Sequence, residues 1–464
     1  MEVVDLQTPL RSPAERTPER FSDAVDLYAE HVNPQFVRVL RTIGFDRTWV
    51  RGEGAHIVDS EGNRYLDLVG GFGMFNVGRS NARVRAALAE ALADDLPISV
   101  QLGVSSYAGS LAAELLRRLP RSLGRVVFTS SGTEAVEAAL KYGRAATGRP
   151  RVLSAEHGFH GLTYGSLSAN GCPEFTDGFG PMLPGFERVP FGDSEALERE
   201  LGREDVALFL VEPVQGKGVH LAPEGYLQEA QALCRRYGTL FCVDEVQTGF
   251  GRTGRMFALE HFGLEPDVVT VAKSLSGGYV PVGACVVSKA VFDAVCNSME
   301  NAVRHGSTFA PNELAMVAGL ATLEELDRER LPERAARLGD LLLDLTRPLV
   351  ERYDVVHDVR GLGLLWGIEF GEPSRGRATW RALERRQPGI FSQFVVGPLF
   401  HRHRILSQVA GHRLNVVKAL PPLTVAEEEL ERFAAALEDV VRRASRLSSA
   451  AIGFALRTGV RTVR

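Results

Sequence analysis

Apolar and polar positions along the chain change period three times. In His56–Leu68 (HIVDSEGNRYLDL), two short β-type runs, His56–Asp59 and Arg64–Leu68, flank Ser60-Glu61-Gly62-Asn63 and predict a hairpin. Residues 81–94 and 108–118 carry apolar side chains at helical spacing. From residue 125 to residue 290, short apolar runs alternate with helical stretches. The runs are Val126–Phe128, Ala207–Val211, Leu240–Val243 and Val268–Ala272. They suit strands buried on both faces, and the alternation predicts a largely parallel sheet wrapped in helices. A helical stretch after residue 313 leads to a tail with strands expected at Val355–Val359, Leu364–Phe370 and Val416–Leu420, and a closing helix over 425–446. The expected class is α/β, a large domain with a mostly parallel sheet and a smaller α+β domain. Residues 1–22, polar and carrying Pro9, Pro13 and Pro18, read as a mobile arm. Residues 23–75 are expected to pack with the small domain, 76–335 to form the large domain, and 336–464 the C-terminal small domain.

Composition narrows the class without choosing a function. The 464 residues are 45% hydrophobic and 24% charged, which excludes collagen-like, disulfide-scaffold and wholly disordered chains. A net charge of −5 favours neither nucleic acid nor an anionic membrane. No apolar stretch reaches the roughly 18 residues of a membrane span, and the N-terminus lacks the apolar region of a secretory signal. Cys172, Cys234, Cys242, Cys285 and Cys296 are odd in number and contain no C-x-x-C pair. They read as buried thiols of a reducing compartment, and the chain as a cytoplasmic enzyme without a structural metal. Only Lys141, Lys217, Lys273, Lys289 and Lys418 are lysines among 53 basic residues, so chemistry that needs an amine has five candidates.

In open α/β sheets ligands bind beyond the carboxyl ends of the strands. Val126–Phe128 is followed by Thr129-Ser130-Ser131-Gly132-Thr133-Glu134 and a helix through Ala146. The free N–H groups of such a helix start suit a phosphate, although a plain Ser/Thr cap is the commoner use of these residues. No G-x-x-x-x-G-K-[ST] loop is present. Glu212 follows one run, Asp244 the next and Lys273 the last, and Lys273 precedes Gly277-Gly278. A lysine that ends a buried run is placed in a pocket that can lower its pKa. An amine, an anion for a cationic ring nitrogen and a phosphate cradle together match pyridoxal 5′-phosphate (PLP).

The segments SSGTEAVEAAL, HGFHG, VEPVQGKGV, VDEVQTGFGRTG, VTVAKSLSGG and HGSTFAPN stand in one order along the chain. In that order the chain resembles the class III PLP-dependent aminotransferases of fold type I, a group that includes ornithine, acetylornithine, 4-aminobutyrate and putrescine enzymes. The resemblance implies that Lys273 forms the Schiff base and moves the proton, and that Asp244 keeps the ring nitrogen protonated. It implies that Val246 and Phe159 pack on the two ring faces and Gln247 contacts the ring hydroxyl. Gly132 and Thr133, with Ser131, would hold the phosphate. Thr308 would complete that site in the neighbouring subunit of a homodimer. His157 and His160 flank Phe159 and are expected to orient the cofactor loop rather than bind a metal, because no third ligand stands at a metal-like spacing.

Two positions depart from the family pattern. Lys418, in Lys418-Ala419-Leu420-Pro421-Pro422-Leu423, stands where relatives carry an arginine for a substrate carboxylate, and Leu162 where the ornithine enzymes place another. A lysine supplies charge without the bidentate fork. Glu212, the partner of the missing arginine in relatives, is left to pair with Lys418 or to meet a cationic amine. The expected reaction passes an amino group from an amine, diamine or ω-amino compound to a carbonyl acceptor. The alternative keeps the cofactor but leads to decarboxylation, elimination or carbon–carbon bond formation.

Overall fold

The computed structural model describes residues 24–445, apart from residues 100, 101, 375 and 412; the arm expected at 1–22 lies outside the described residues. Seven strands form the central sheet: β1 (Arg125–Thr129), β2 (Arg151–Ala155), β3 (Phe186–Val189), β4 (Val206–Val211), β5 (Leu240–Asp244), β6 (Val268–Val271) and β7 (Gly283–Val287). Their spatial order is β1-β7-β6-β5-β4-β2-β3. β7 runs antiparallel to both β6 and β1, while the remaining pairings are parallel. The carboxyl ends of β1, β2, β4, β5 and β6 therefore open on one edge of the sheet.

β4 and β6 are buried at every position, as the unbroken apolar run of β4 and the nearly unbroken one of β6 require. Hydrophobic pattern alone did not single out β2, β3 and β7. β2 opens on a buried arginine, Arg151, held by Asp205, Glu187 and Glu200, and β3 carries two charged residues in four. The helix Gly132–Thr147 starts at the Ser131 cap, whose hydroxyl accepts from the Glu134 N–H, and ends at Gly148 with φ 68°. It lies close on the sheet: a Cβ on Gly143 would stand 3.1 Å from Leu208 Cδ1.

The hairpin expected near the N-terminus is present. His56–Asp59 pairs antiparallel with Arg64–Asp67, and Asp59 Oδ1 accepts from the N–H groups of Glu61 and Asn63 across the turn. Trp49–Glu53 extends this sheet on one side, and Ile405–Leu406, from the far end of the chain, pairs parallel on the other. A second small sheet holds Val356–Leu362, Leu365–Phe370, Val416–Ala419 and Gln408–Val409 in that spatial order. Helices Leu331–Thr346 and Glu427–Ser445 lie in the core of this part, with Trp366 stacked edge-on against Phe433. Lys418 lies in this sheet, opposite Gly367 and Gln408.

Candidate active site

Asp244 is the last residue of β5 and is 3% exposed. Its carboxylate accepts three hydrogen bonds: from Thr270 Oγ1 (3.0 Å) and the Val246 N–H (3.0 Å) on Oδ1, and from His160 Nδ1 (2.7 Å) on Oδ2. A buried carboxylate so supplied has its acceptor sites met by directed donors. The His160 imidazole is also buried; burial opposes its protonation, but the bond to Asp244 outweighs that and raises its pKa. His160 Nε2 is a buried nitrogen without a partner among the described residues.

Lys273 begins a short 3₁₀ turn after β6, with φ 43°. This left-handed conformation is costly for a lysine and turns the chain sharply at the strand end. Loss of water pushes its amine below the usual lysine range, against the pull of Asp244 and Glu212. Glu212, one residue past β4, has each oxygen on a backbone N–H: Oε2 on Phe159 (3.0 Å) and Oε1 on Gly216 (2.9 Å). Burial lifts its carboxyl above the usual range, and His160 and the two N–H bonds pull it back only in part.

Lys418 is 5% exposed. Its Nζ donates to the Gly216 carbonyl (2.6 Å) and to Gln247 Oε1 (3.3 Å), so its bonds go to neutral acceptors rather than to Glu212. Burial and the neighbouring Lys273 charge bring its pKa down to about 7. Gln247 Nε2 reaches back to the Phe72 carbonyl (2.9 Å), in a turn where Phe72 itself has φ 59°. Phe159 is half-buried and packs at 5.1 Å against Phe175, whose other neighbour is the Lys217 amine. Lys217 is buried and ion-paired with Glu174.

The helix start at Ser131–Thr133 lies beside this group. A Cβ on Gly132 would stand 2.9 Å from Val246 Cγ1 and 3.3 Å from the Ala272 methyl, so only glycine leaves that space open. The Thr133 hydroxyl is bound to Thr163 Oγ1 (2.8 Å) and Ser166 Oγ (2.7 Å) and accepts from the Leu162 and Thr163 N–H groups. Thr133 therefore offers a ligand its backbone N–H, while its hydroxyl braces the loop that follows Phe159. Ser130 Oγ is buried nearby without a partner among the described residues. Thr308 is exposed, with its carbonyl accepting from Ser99 Oγ.

The donor set fits pyridoxal 5′-phosphate: a desolvated amine, a buried carboxylate, and a helix start left open by a glycine. The family model described as aminotransferase class-III matches residues 43–441. This chain belongs to the class III aminotransferases. These are PLP-dependent enzymes that transfer amino groups between an amine donor and a carbonyl acceptor. Over 91% of the chain it is 38% identical to a putrescine aminotransferase of Pectobacterium atrosepticum, of which the match covers 89%. It is 34% identical to the aminotransferase PigE of a Serratia species over 90% of this chain, but spans only 53% of PigE. The ornithine aminotransferase structure of Toxoplasma gondii ME49 superposes with a TM-score of 0.77 at 29% identity, covering 91% of this chain and 98% of the other. All three relatives are aminotransferases, and none favours the alternative chemistries.

Of the positions chosen from sequence, hydrogen bonds and close contacts connect Asp244, Val246, Gly132, Gln247, Lys418, Glu212 and Phe159. Lys273 joins them through its electrostatic coupling to Asp244, Glu212 and Lys418. Sequence reasoning did not reach Thr270, a polar residue inside the otherwise apolar Val268–Val271, although a buried hydroxyl in such a run signals a partner. It also left Lys217 and Arg252 unassigned.

Proposed function

We propose that this class III enzyme takes its amino group from an amine, diamine or ω-amino compound that is not held by an α-carboxylate clamp. The observation that carries this is the binding of Lys418 Nζ to the Gly216 carbonyl and Gln247, with Leu162 at the position of a second arginine. Neither side chain forms the planar fork that grips a carboxylate. Glu212, bound through both oxygens to backbone N–H groups, places a carboxyl group rather than a cationic clamp beside the reacting amine, which suits a cationic donor.

When bound, PLP supplies an aldehyde for the amine and a ring that takes up an electron pair. The chain's residues divide the remaining work. The Lys273 amine, its pKa lowered by burial, would hold the aldehyde and, once a donor amine has displaced it, would carry the proton between the donor's amine-bearing carbon and the cofactor. Asp244 would hold the ring nitrogen's proton, and His160 keeps that carboxylate oriented through Oδ2. Val246 and Phe159 would pack on the ring, Gln247 would meet its hydroxyl, and the Ser131–Gly132–Thr133 helix start would receive the phosphate.

The enzyme works in this reading as a cytoplasmic homodimer, with Thr308 reaching the neighbouring subunit's phosphate. Leu102, Val104, Met299, Val303 and Phe309 are exposed apolar side chains on the flanking segments, as an interface requires. The five cysteines are free thiols, four of them buried, and no described helix is long and apolar enough to cross a membrane. We take the large domain to begin at residue 76 and to end just short of the expected residue 335, with the described residues on either side of it forming the small one. The joint falls in the turn before Leu331–Thr346, because that helix is continuous through residue 335. Half-reactions with putrescine, ornithine, alanine and glutamate, followed by cofactor absorbance, test the donor class. Rapid, tight reaction with glutamate alone overturns it.

A further inference from the structure

Arg252 is fully buried and has no carboxylate partner among the described residues. Its guanidinium donates to the carbonyls of Leu364 (3.0 Å) and Pro421 (2.6 Å) and to Asn76 Oδ1 (2.5 Å). Three separate stretches of chain thus end on one side chain. Asn76 in turn donates to the Phe250 carbonyl (2.7 Å), and its own carbonyl accepts from the Leu423 N–H (2.9 Å), while the Arg252 carbonyl accepts from Leu364 (3.0 Å). Burial lowers the guanidinium's pKa to about 9, a sign of how little water reaches it. An unpaired buried charge is expensive, and a hydrophobic residue would fill a purely structural joint at lower cost.

The joint lies directly beneath the substrate side of the site. Pro421 is three residues from Lys418, and Asn76 is four from Phe72. A Cβ on Gly73 would stand 3.9 Å from Arg252 Nε, from Gln247 Cγ and from Leu420 Cδ1. Arg252 Nε is itself without a partner among the described residues. The same Gln247 bridges the Phe72 carbonyl and the Lys418 amine.

We propose that Arg252 is a positioning residue for amino transfer: its three-way fork fixes Lys418 and the Phe72 turn around Gln247. A guanidinium is required because only a rigid fork serves three acceptors from three directions. Arg252 also contributes to the electrostatic depression of the Lys418 amine. The proposal rests on the placement of the reacting amine at Lys273, which loss of covalent cofactor in Lys273→Ala tests separately.

The experiment compares holoenzymes of Arg252→Lys, which keeps the charge and loses the fork, and Arg252→Gln, which loses the charge. Aminooxyacetate, a carbonyl reagent that discharges the cofactor band, reports the site without knowledge of the natural donor. Arg252→Lys is expected to keep its cofactor, with a melting temperature lowered by the buried acceptors it leaves unpaired, but to bind aminooxyacetate at least about tenfold more weakly, since small misplacements around a reacting centre carry such losses. Arg252→Gln, whose single amide reaches fewer of the three acceptors, is expected to weaken binding at least as much. Wild-type affinity in either variant overturns the proposal. If Arg252→Gln does not fold, Arg252→Lys decides alone; if Arg252→Lys also does not fold, the role is structural and the proposal falls.

Discussion

The two ends of the candidate site are built differently. Around Asp244, every charged group is buried and over-determined: the carboxylate has three donors, Glu212 has two, and Lys418 two acceptors. Around Thr308, the chain is exposed, Phe309 is 70% accessible, and the neighbouring segments present apolar side chains outward. The first end is complete within one chain and is stabilised by the core it belongs to. The second has the character of a surface that gains its burial from a second copy. Groups whose charge is fixed by hydrogen bonds lie where water is excluded, and the exposed edge is where our proposed reading places a second copy.

Lys273→Ala strikes the buried end hardest. It is expected to lower turnover by at least about 10⁴-fold and to abolish cofactor retained after borohydride reduction, read by mass spectrometry. Retention of the cofactor on another lysine breaks the assignment of this end. Asp244→Asn is expected to cost roughly 10³-fold in turnover with the fold intact, measured by steady-state kinetics and circular dichroism. It also removes the partner that raises the His160 pKa, so the imidazole should then titrate lower by NMR.

At the exposed end, Thr308→Ala is expected to weaken cofactor retention by only about tenfold, the worth of one hydrogen bond to a charged group. A monomeric wild-type protein by light scattering removes the contrast altogether. The smallest effect concerns Lys418, whose amine loses its proton as pH rises through about 7. Affinity for a carboxylate such as glutarate should fall roughly fivefold from about pH 6 to about pH 8, and stay flat in Lys418→Met. Equal pH dependence in both proteins would detach Lys418 from the substrate side.

Much of this was legible before any coordinates. The runs that became β4, β5 and β6 are almost wholly apolar, Thr270 in β6 being the exception, because both of their faces are covered, and each is followed at once by a residue that matters: Glu212, Asp244 or Lys273. Strand ends are readable in sequence because an apolar run must stop where burial stops. β2 and β3 escaped because their charges are neutralised by partners distant in sequence, Arg151 by Asp205 among them. A pattern of hydrophobicity carries no record of pairing.

The chain's own order of residues determined the fold class and the family, and nominated a reacting amine and its counter-charge. Only the folded chain decided what those groups touch. Glu212 and Lys418 are both present in the sequence, 206 positions apart. The tertiary structure directs one to backbone N–H groups and the other to a carbonyl and an amide oxygen, so the glutamate–lysine pairing, one of the two readings open in the sequence, does not form. Arg252 likewise reads as one of many arginines until three carbonyl-type oxygens, from stretches of chain far apart in sequence, converge on it. Hydrogen bonds are short-ranged and directional, so their partners are fixed by which segments the packed core brings within about 3 Å, and linear order does not contain that information.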